Sequence, residues 1–250
     1  MNNPKQNFFL TKNNQKIHYK FINNKSLTTI IFLHGLMSDI KSKKAKHLKN
    51  FVNKNKINLL LFEYSGHGRS SGKFTDFSIK NWVEDSRSII KKLIKKNKIV
   101  LIGSSMGAWI AIVLIKYFYK RIKDFIAIAP APDFTEEIIW KKLNNVEKNK
   151  IKKNKIYKLK SSHNNFYPIT KKFIFDGKKI LVLNKKIKCN FPIKLLHGVE
   201  DSSVSWVYSI KLIKTLISKK LSLTFIDDGD HSLSRAQDLK KLDLAIKDII

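Results

Sequence analysis

The stretch from Lys98 to Trp109, KIVLIGSSMGAW, constrains this chain more than any other part of its sequence. Ile99-Val100-Leu101-Ile102 is an unbroken apolar run, the pattern of a strand in a parallel sheet covered on both faces. It leads straight into Gly103-Ser104-Ser105-Met106-Gly107, and the residues beyond predict a helix over Met106–Lys120. A Gly-x-Ser-x-Gly pentapeptide between a buried strand and a helix is the setting of a nucleophile elbow. The turn strains its serine and tolerates only very small residues two places before and after it, here Gly103 and Gly107. Ser105 Oγ would then stand above the sheet. The Met106 N–H, at the helix N-terminus, would face a developing oxyanion.

The rest of the chain alternates in the same sense. Strands are expected over Lys16–Ile22, Thr28–Leu33, Asn58–Glu63, Lys98–Ile102, Phe125–Ala129, Ile193–Leu196 and Leu221–Ile226. Helices are expected over Ser42–Asn55, Phe77–Lys96, Met106–Lys120, Ser205–Lys219 and Arg235–Ile249. In the second of these, Trp82-Val83, Ile89-Ile90 and Leu93-Ile94 recur at helical spacing with lysines on the other face. This rhythm predicts one doubly wound α/β domain over residues 1–250, with a mostly parallel central sheet and helices on both faces. Hydrophobic content of 43% can supply the core. The rhythm fails between 134 and 188, where short helix-like pieces and many lysines read either as a solvated surface excursion or as a cap or lid inserted above the strand ends.

A second match, Gly68-Arg69-Ser70-Ser71-Gly72, follows a strand but runs into Lys73-Phe74-Thr75-Asp76, not into a helix. Ser70 is therefore read as a turn residue. Of the seven histidines, His231 follows the last expected strand and precedes a helix, so it is the candidate general base. His34, His67 and His197, each beside glycine, read as turn-structuring, and His18, His47 and His163 as exposed. Asp201, on the loop after the Ile193–Leu196 strand, is the candidate carboxylate that fixes the base's tautomer. Glu200 is its neighbouring competitor, and Asp228 and Asp230 read as turn residues. The second oxyanion donor is expected in His34-Gly35-Leu36-Met37-Ser38, with the Leu36 N–H as candidate beside that of Met106.

The composition bears on partners. The formal charge is +31, built from 46 Lys and only 4 Arg. Lysine, asparagine and isoleucine are all heavily used, as a bias toward A/T-rich codons would produce. A nucleic-acid reader usually needs the planar fork of arginine as well. No helix-turn-helix, aromatic-basic platform or zinc spacing accompanies the charge. No specific nucleic-acid partner is expected, and the charge is read as background. The alternative is that lysines over 141–160, in the expected lid, attract an anionic acyl donor. No stretch is apolar enough for a transmembrane segment. The N-terminal residues lack a signal-peptide apolar region, so export is not expected and a cytoplasmic setting follows. The single Cys189 rules out an intramolecular disulfide and reads as inert. No metal-ligand spacing or phosphate loop stands out, and no cofactor is expected. Oligomeric state is not legible.

Taken together, these motifs resemble the α/β-hydrolase superfamily over roughly residues 16–250, whose triad order is nucleophile, acid, base. More narrowly, they are similar to bacterial relatives of the mitochondrial depalmitoylating thioesterase of that superfamily. The resemblance rests on several strings. The first are His34-Gly35 with Ser38-Asp39, Tyr64-Ser65-Gly66-His67-Gly68-Arg69-Ser70-Ser71-Gly72, and Trp82 with Asp85. The elbow follows, then Ala129-Pro130-Ala131-Pro132-Asp133-Phe134-Thr135-Glu136 and Tyr167-Pro168-Ile169-Thr170. Last come His197-Gly198 with Asp201 and Trp206, and Asp228-Gly229-Asp230-His231-Ser232-Leu233-Ser234. Ser205 stands where proline is usual before Trp206, a departure that bears on loop rigidity. The resemblance implies an α/β-hydrolase fold with a short cap. It also implies a serine hydrolase acting on acyl thioesters or carboxylic esters of small molecules or acylated proteins. Trp109, Phe134, Ile138 and Trp140 are the candidates for an acyl pocket, with core or lid packing as the alternative. A plain carboxylesterase and a non-catalytic binding scaffold are the rival readings.

Overall fold

In the computed structural model, which describes residues 7–160 and 166–248, the chain opens with β1 (Asn7–Leu10), β2 (Lys16–Ile22) and β3 (Thr28–Leu33). Next come α1 (Lys43–Asn55), β4 (Asn58–Phe62), α2 (Ile79–Leu93), β5 (Lys98–Ser104), α3 (Met106–Phe118) and β6 (Ile122–Ile128). Beyond β6 lie α4 (Asn145–Lys152), β7 (Tyr157–Lys160), β8 (Phe166–Ile169), α5 (Lys171–Lys178) and β9 (Ile187–Lys188). The chain then returns through β10 (Ile193–Gly198), α6 (Val207–Thr215), β11 (Leu216–Ile217), β12 (Leu221–Ile226) and α7 (Ala236–Lys247).

Alternation within the strands explains the layering. Ile31, Leu33, Leu60, Phe62 and Leu101 point into a core shared with α2 and α3. Their sequence neighbours Ile30, Phe32, Leu59, Leu61, Val100 and Ile102 point into a second core shared with α1 and α7. A strand buried on both faces has no polar face to show, which is why these strands read as continuous apolar runs. The sheet order is β1-β2-β4-β3-β5-β6-β10-β12. The β1–β2 and β2–β4 pairs are antiparallel, and the six strands from β4 to β12 are mutually parallel. Helix α3 is buried almost all round, from Met106 to Ile115.

Several expected boundaries move. The helix expected over Ser205–Lys219 ends at Thr215, because Leu216 and Ile217 extend to pair with Ile187 and Lys188. The strand expected from Phe125 begins at Ile122. The antiparallel strand β1 did not figure among the expected elements, since it is short and largely exposed.

Between β6 and β10 the chain leaves the sheet. Its first turns are a π-helical Thr135–Ile139 and a 3-10 turn at Trp140–Lys142, followed by α4, the β7–β8 hairpin and α5. Asp133 clasps the base of this excursion. Its carboxylate accepts hydrogen bonds from the Val182 N–H at 2.9 and 3.0 Å and from the Leu183 N–H at 2.8 Å. Burial raises the Asp133 pKa to about 6, opposed by those same N–H groups. Among the described residues, no helix is long and apolar enough to cross a membrane.

Candidate active site

Ser105 is the junction of β5 and α3, with φ 54° and ψ −120°. The strain of a left-handed φ on a side chain with a Cβ persists only where the surroundings fix it. Here the Ser105 N–H donates to Ile128 O at 2.9 Å, and its carbonyl accepts from Ala108 and Ala131 N–H at 3.0 and 3.3 Å. The two flanking glycines serve close approach. A Cβ on Gly107 would lie 2.0 Å from Leu33 O, and one on Gly103 would lie 2.5 Å from Ala108 Cα. Helix α3 is thereby pressed against the end of β3.

His231 and Asp201 meet this serine in a line. Ser105 Oγ lies 2.9 Å from His231 Nε2, and His231 Nδ1 lies 2.7 Å from Asp201 Oδ2. An ionised carboxylate only accepts, so Nδ1 carries the proton and Nε2 is free to receive one. Asp201 has no exposed side-chain surface. Burial alone would raise its pKa, but hydrogen bonds from His197 and His231 and the Val204 N–H hold it well below the usual carboxylate range. Its Oδ1 accepts from the Ser203 and Val204 N–H groups at 2.9 and 2.8 Å.

His197, on β10, supports the acid from behind. Its Nε2 lies 2.9 Å from Val204 O and 3.2 Å from Asp201 Oδ2, while Nδ1 lies 2.7 Å from Ser209 Oγ. Sequence reading gave it a turn role. The His-x-x-x-Asp spacing was the available signal for more.

The loop after β3 faces the elbow. Ser38 N–H donates to Gly35 O at 3.3 Å, closing a four-residue turn, and Met37 sits at φ 51°. A positive φ at the third position marks a type II turn. His34 Nδ1 also lies 2.8 Å from the Gly35 carbonyl. With that carbonyl held on one side, the trans peptide aims the Leu36 N–H to the other. Among the described residues, neither the Leu36 nor the Met106 N–H is taken up by a protein acceptor. Gly35 packs on Ser105, where an added Cβ would lie 3.4 Å from the Ser105 Cβ.

Above Ser105 opens a cavity of about 1100 Å³, lined by both candidate donors, His231, and residues of the excursion. Phe134 and Ile138 line it, joined by Ile139, Leu159, Phe166 and Tyr167. Trp109 and Trp140 do not. Trp109 is fully buried in the core, its indole N–H donating to Ile180 O at 3.2 Å and its ring edge-on to Phe134. Trp140 packs instead on Phe175, with the Lys178 ammonium over its ring. Both were placed by aromatic character, but a helix apolar all round does not reveal which face meets a cavity. The polar part of the lining includes Ser38, Ser42, Ser202, Ser203 and Ser232, with Lys44, Lys142 and Lys160 and, among the described residues, no carboxylate side chain.

Nothing in the sequence marks Lys44 among the many lysines. It is buried on α1 and donates to the Ser232 carbonyl and, at 3.1 Å, to Ser234 Oγ, bracing the loop that carries His231. Burial lowers its pKa to about 8 against the pull of Asp230 and Asp238. The rival Ser70 is occupied structurally: its Oγ donates to Glu63 O at 2.6 Å and accepts from the His18 N–H at 2.9 Å. Two histidines expected to be exposed are not. His18 is buried with Nδ1 2.9 Å from Glu63 Oε2, and His47 is half-buried with Nε2 2.6 Å from Asp243. His163 lies outside the described residues. Cys189 is buried, and burial pushes its thiol up to about 11. Among the described residues, no cluster of three or more His, Cys, Asp or Glu could hold a metal ion.

Comparison with known proteins agrees with this architecture. The chain is 28% identical over 234 residues to the mitochondrial palmitoyl-protein thioesterase ABHD10 of Homo sapiens, spanning 93% of this chain and 76% of that protein. It is 33% identical over 129 residues to the putative esterase/lipase 2 of Mycoplasma pneumoniae, spanning 51% of this chain and 43% of that one. The crystal structure of a putative hydrolase from Agrobacterium vitis S4 superposes with a TM-score of 0.93 at 29% identity, covering 98% of both chains. The profile of the family described as serine aminopeptidase, S33, matches residues 24–172. The chain therefore belongs to the serine aminopeptidase S33 family and is a hydrolase of the α/β-hydrolase fold.

Proposed function

We propose that the chain cleaves acyl thioesters or carboxylic esters through an acyl-enzyme on Ser105, in the manner of a palmitoyl-protein thioesterase. The observation that carries this reading is the hydrogen-bonded line from Ser105 Oγ through His231 to Asp201, at 2.9 and 2.7 Å. It opens into a cavity walled by Phe134, Ile138, Ile139 and Phe166. The names of the curated relatives, a thioesterase and an esterase/lipase, support the same class.

The steps follow from the geometry. As Ser105 Oγ attacks the acyl carbon, its proton passes to His231 Nε2, and Asp201 stabilises the imidazolium. The Leu36 and Met106 N–H groups receive the oxyanion. Collapse breaks the bond to the thiol or alcohol, which leaves with the proton from His231. Water, deprotonated by the same nitrogen, then releases the acid. The segment from 134 to 188 acts as the cap that shapes the acyl end of the site. The substrate is an acylated small molecule or protein, with no specific nucleic-acid partner. A cytoplasmic setting belongs to the same reading and is supported by Cys189, a lone buried thiol. Recovery of the native protein from a membrane or exported fraction would contradict that part.

The test is a panel of matched acyl thioesters and oxygen esters of graded chain length, with Ser105→Ala as blank. The thioesterase reading expects kcat/KM to rise with chain length and to favour the thioester of each pair. Preference for the oxygen esters makes it a carboxylesterase. Equal turnover by wild type and Ser105→Ala refutes the acyl-enzyme.

A further inference from the structure

The geometry points to Lys44 as a positioning residue for His231, one that fastens the loop of the general base to α1 through the Ser232 carbonyl. The inference rests on the reading of Ser105 as the nucleophile and His231 as its base. Lys44 stands in the first turn of α1, just beyond the N-cap Ser42. Its ammonium donates to Ser232 O and, at 3.1 Å, to Ser234 Oγ, which itself donates to the same carbonyl at 2.9 Å. That carbonyl belongs to the residue directly after the base.

The loop is built so that this tie decides where His231 stands. Asp230, His231, Ser232 and Leu233 form a unit closed on itself: Asp230 Oδ1 accepts from the Leu233 N–H at 2.9 Å and from Ser232 Oγ at 3.1 Å. His231 is enclosed in that unit and moves with it. Upstream the chain is tied at Gly229, whose carbonyl accepts from the Glu200 N–H at 3.0 Å. Downstream, among the described residues, Lys44 is the only partner outside the loop and α7 for any backbone group from His231 to Arg235. Leu233 adds a hold through its side chain, buried in the core, but its φ of 41° is a strained one that persists only where the surroundings fix it. Turning the Ser232–Leu233 peptide by itself would leave His231 in place, but it would break the bond to Asp230. Without Lys44 the unit shifts as a body, and the base shifts with it.

The charges around Lys44 leave its ammonium to this task. On its own helix it has Lys43 beside it and His47 one turn on, and His47 Nε2 lies 2.6 Å from Asp243 of α7. Asp230 of the loop and Asp238 of α7 pull on it from a distance. Each is engaged elsewhere, Asp230 within the closed unit and Asp238 with Arg235 at 2.8 Å, while Arg235 also holds Asp228. A charge-assisted hydrogen bond is about twice as strong as a neutral one, so the ammonium grips the carbonyl more firmly than the neutral amine does. Burial lowers the Lys44 pKa to about 8, against the pull of the two aspartates. The tie is firm at neutral pH and slackens above pH 8.

The experiment measures kcat and KM of wild type, Lys44→Met and Lys44→Ala in the full chain. The substrate is a neutral acyl thioester, because Lys44 also borders the cavity. A general base must stand within hydrogen-bond reach of its proton, and a misplacement of about 1 Å costs on the order of 100-fold. At pH 7 both variants are expected to lose roughly 10- to 100-fold in kcat, with KM within about twofold of wild type. Wild-type kcat should fall several-fold between about pH 7.5 and 9.5, toward that of Lys44→Met, whose own profile stays level there. In Lys44→Ala, n-propylammonium replaces the missing atoms from Cγ to Nζ and should restore kcat by about tenfold. Tetramethylammonium, with the same charge and no N–H, should not. Variant kcat within about twofold of wild type, a loss confined to KM, or equal gains from the two ammonium ions overturns the positioning role. So does a level wild-type profile over the same pH range, whether or not the variants fold. Full activity in Ser105→Ala, by contrast, overturns the acyl-enzyme reading beneath it.

Discussion

Asp201→Asn isolates the electrostatic part of the site, and its effect can be worked from the contacts. The Asp201 carboxylate is approached by four N–H groups: His231 Nδ1, His197 Nε2, and the backbones of Ser203 and Val204. All four are donors, and an amide offers only one accepting oxygen. If that oxygen faces the backbone pair, the NH₂ meets His231. His231 can then answer only by moving its proton to Nε2, which turns the base toward Ser105 as a donor. If the amide flips, its NH₂ meets two backbone donors that were bonded at 2.8–2.9 Å. The first arrangement abolishes the general base and should lower kcat by about 10⁴-fold, which is ~5.5 kcal/mol of barrier. The unmatched donors should cost about 1–3 kcal/mol of stability, a fall in Tm of roughly 2–10 °C. The assay is kcat on a long-chain thioester at 25 °C, where the variant remains folded, beside the rate of fluorophosphonate labelling of Ser105. A variant that keeps more than about a tenth of wild-type kcat refutes the idea that Asp201 sets the tautomer.

Gly107→Ala should fail to fold or lose several kcal/mol, since its Cβ would sit 2.0 Å from Leu33 O and neither backbone can yield; chemical denaturation reads the loss. Lys44 titrates near pH 8 in the folded state and at 10.5 unfolded. Between those values the unfolded chain binds more protons, so this lysine makes stability rise with pH by about 1–3 kcal/mol. Subtracting the Lys44→Met curve from wild type should reveal that rise from pH 8 to 10, and a flat difference would contradict it. Asp201 makes stability rise with pH as well, but in the acid range: its stabilisation is complete above about pH 4 and lost in acid as the folded-state value is approached. Finally, Lys142 and Lys160 at the cavity should make added salt raise KM more for an anionic thioester than for a neutral one. Equal salt effects would return the charge to compositional background.

The sheet and the elbow were legible because each is written in contiguous residues. A strand such as Ile99–Ile102 shows its two-sided burial in its own composition, and Gly103 and Gly107 show the close approach that excludes a Cβ. Asp201 and His231 were readable from their place after strands. The supports behind them were not. His34, His197 and Lys44 owe their work to partners that the fold brings near, in the case of Lys44 from 188 residues away. Their signal is burial, which polar residues in a lysine-rich chain do not advertise. The elements inside the excursion after β6 were not legible for a different reason. Its helices α4 and α5 have eight residues each, too short for an amphipathic period to stand out. The tryptophans were misplaced because aromatic character says that a residue will be buried, not against which neighbour.

The Asp133 clasp has a consequence for how this chain can vary. Its carboxylate joins positions 49 and 50 residues apart, so the ends of the excursion are adjacent whatever lies between them. The entropy of closing a loop grows only with the logarithm of its length. Once the base is tied, residues added, removed or recoloured inside it change the closure term by a few tenths of a kcal/mol and leave the strand ends in register. The excursion over the cavity can therefore be rewritten independently, while Ser105, Asp201 and His231 stay anchored to a sheet that does not register the change.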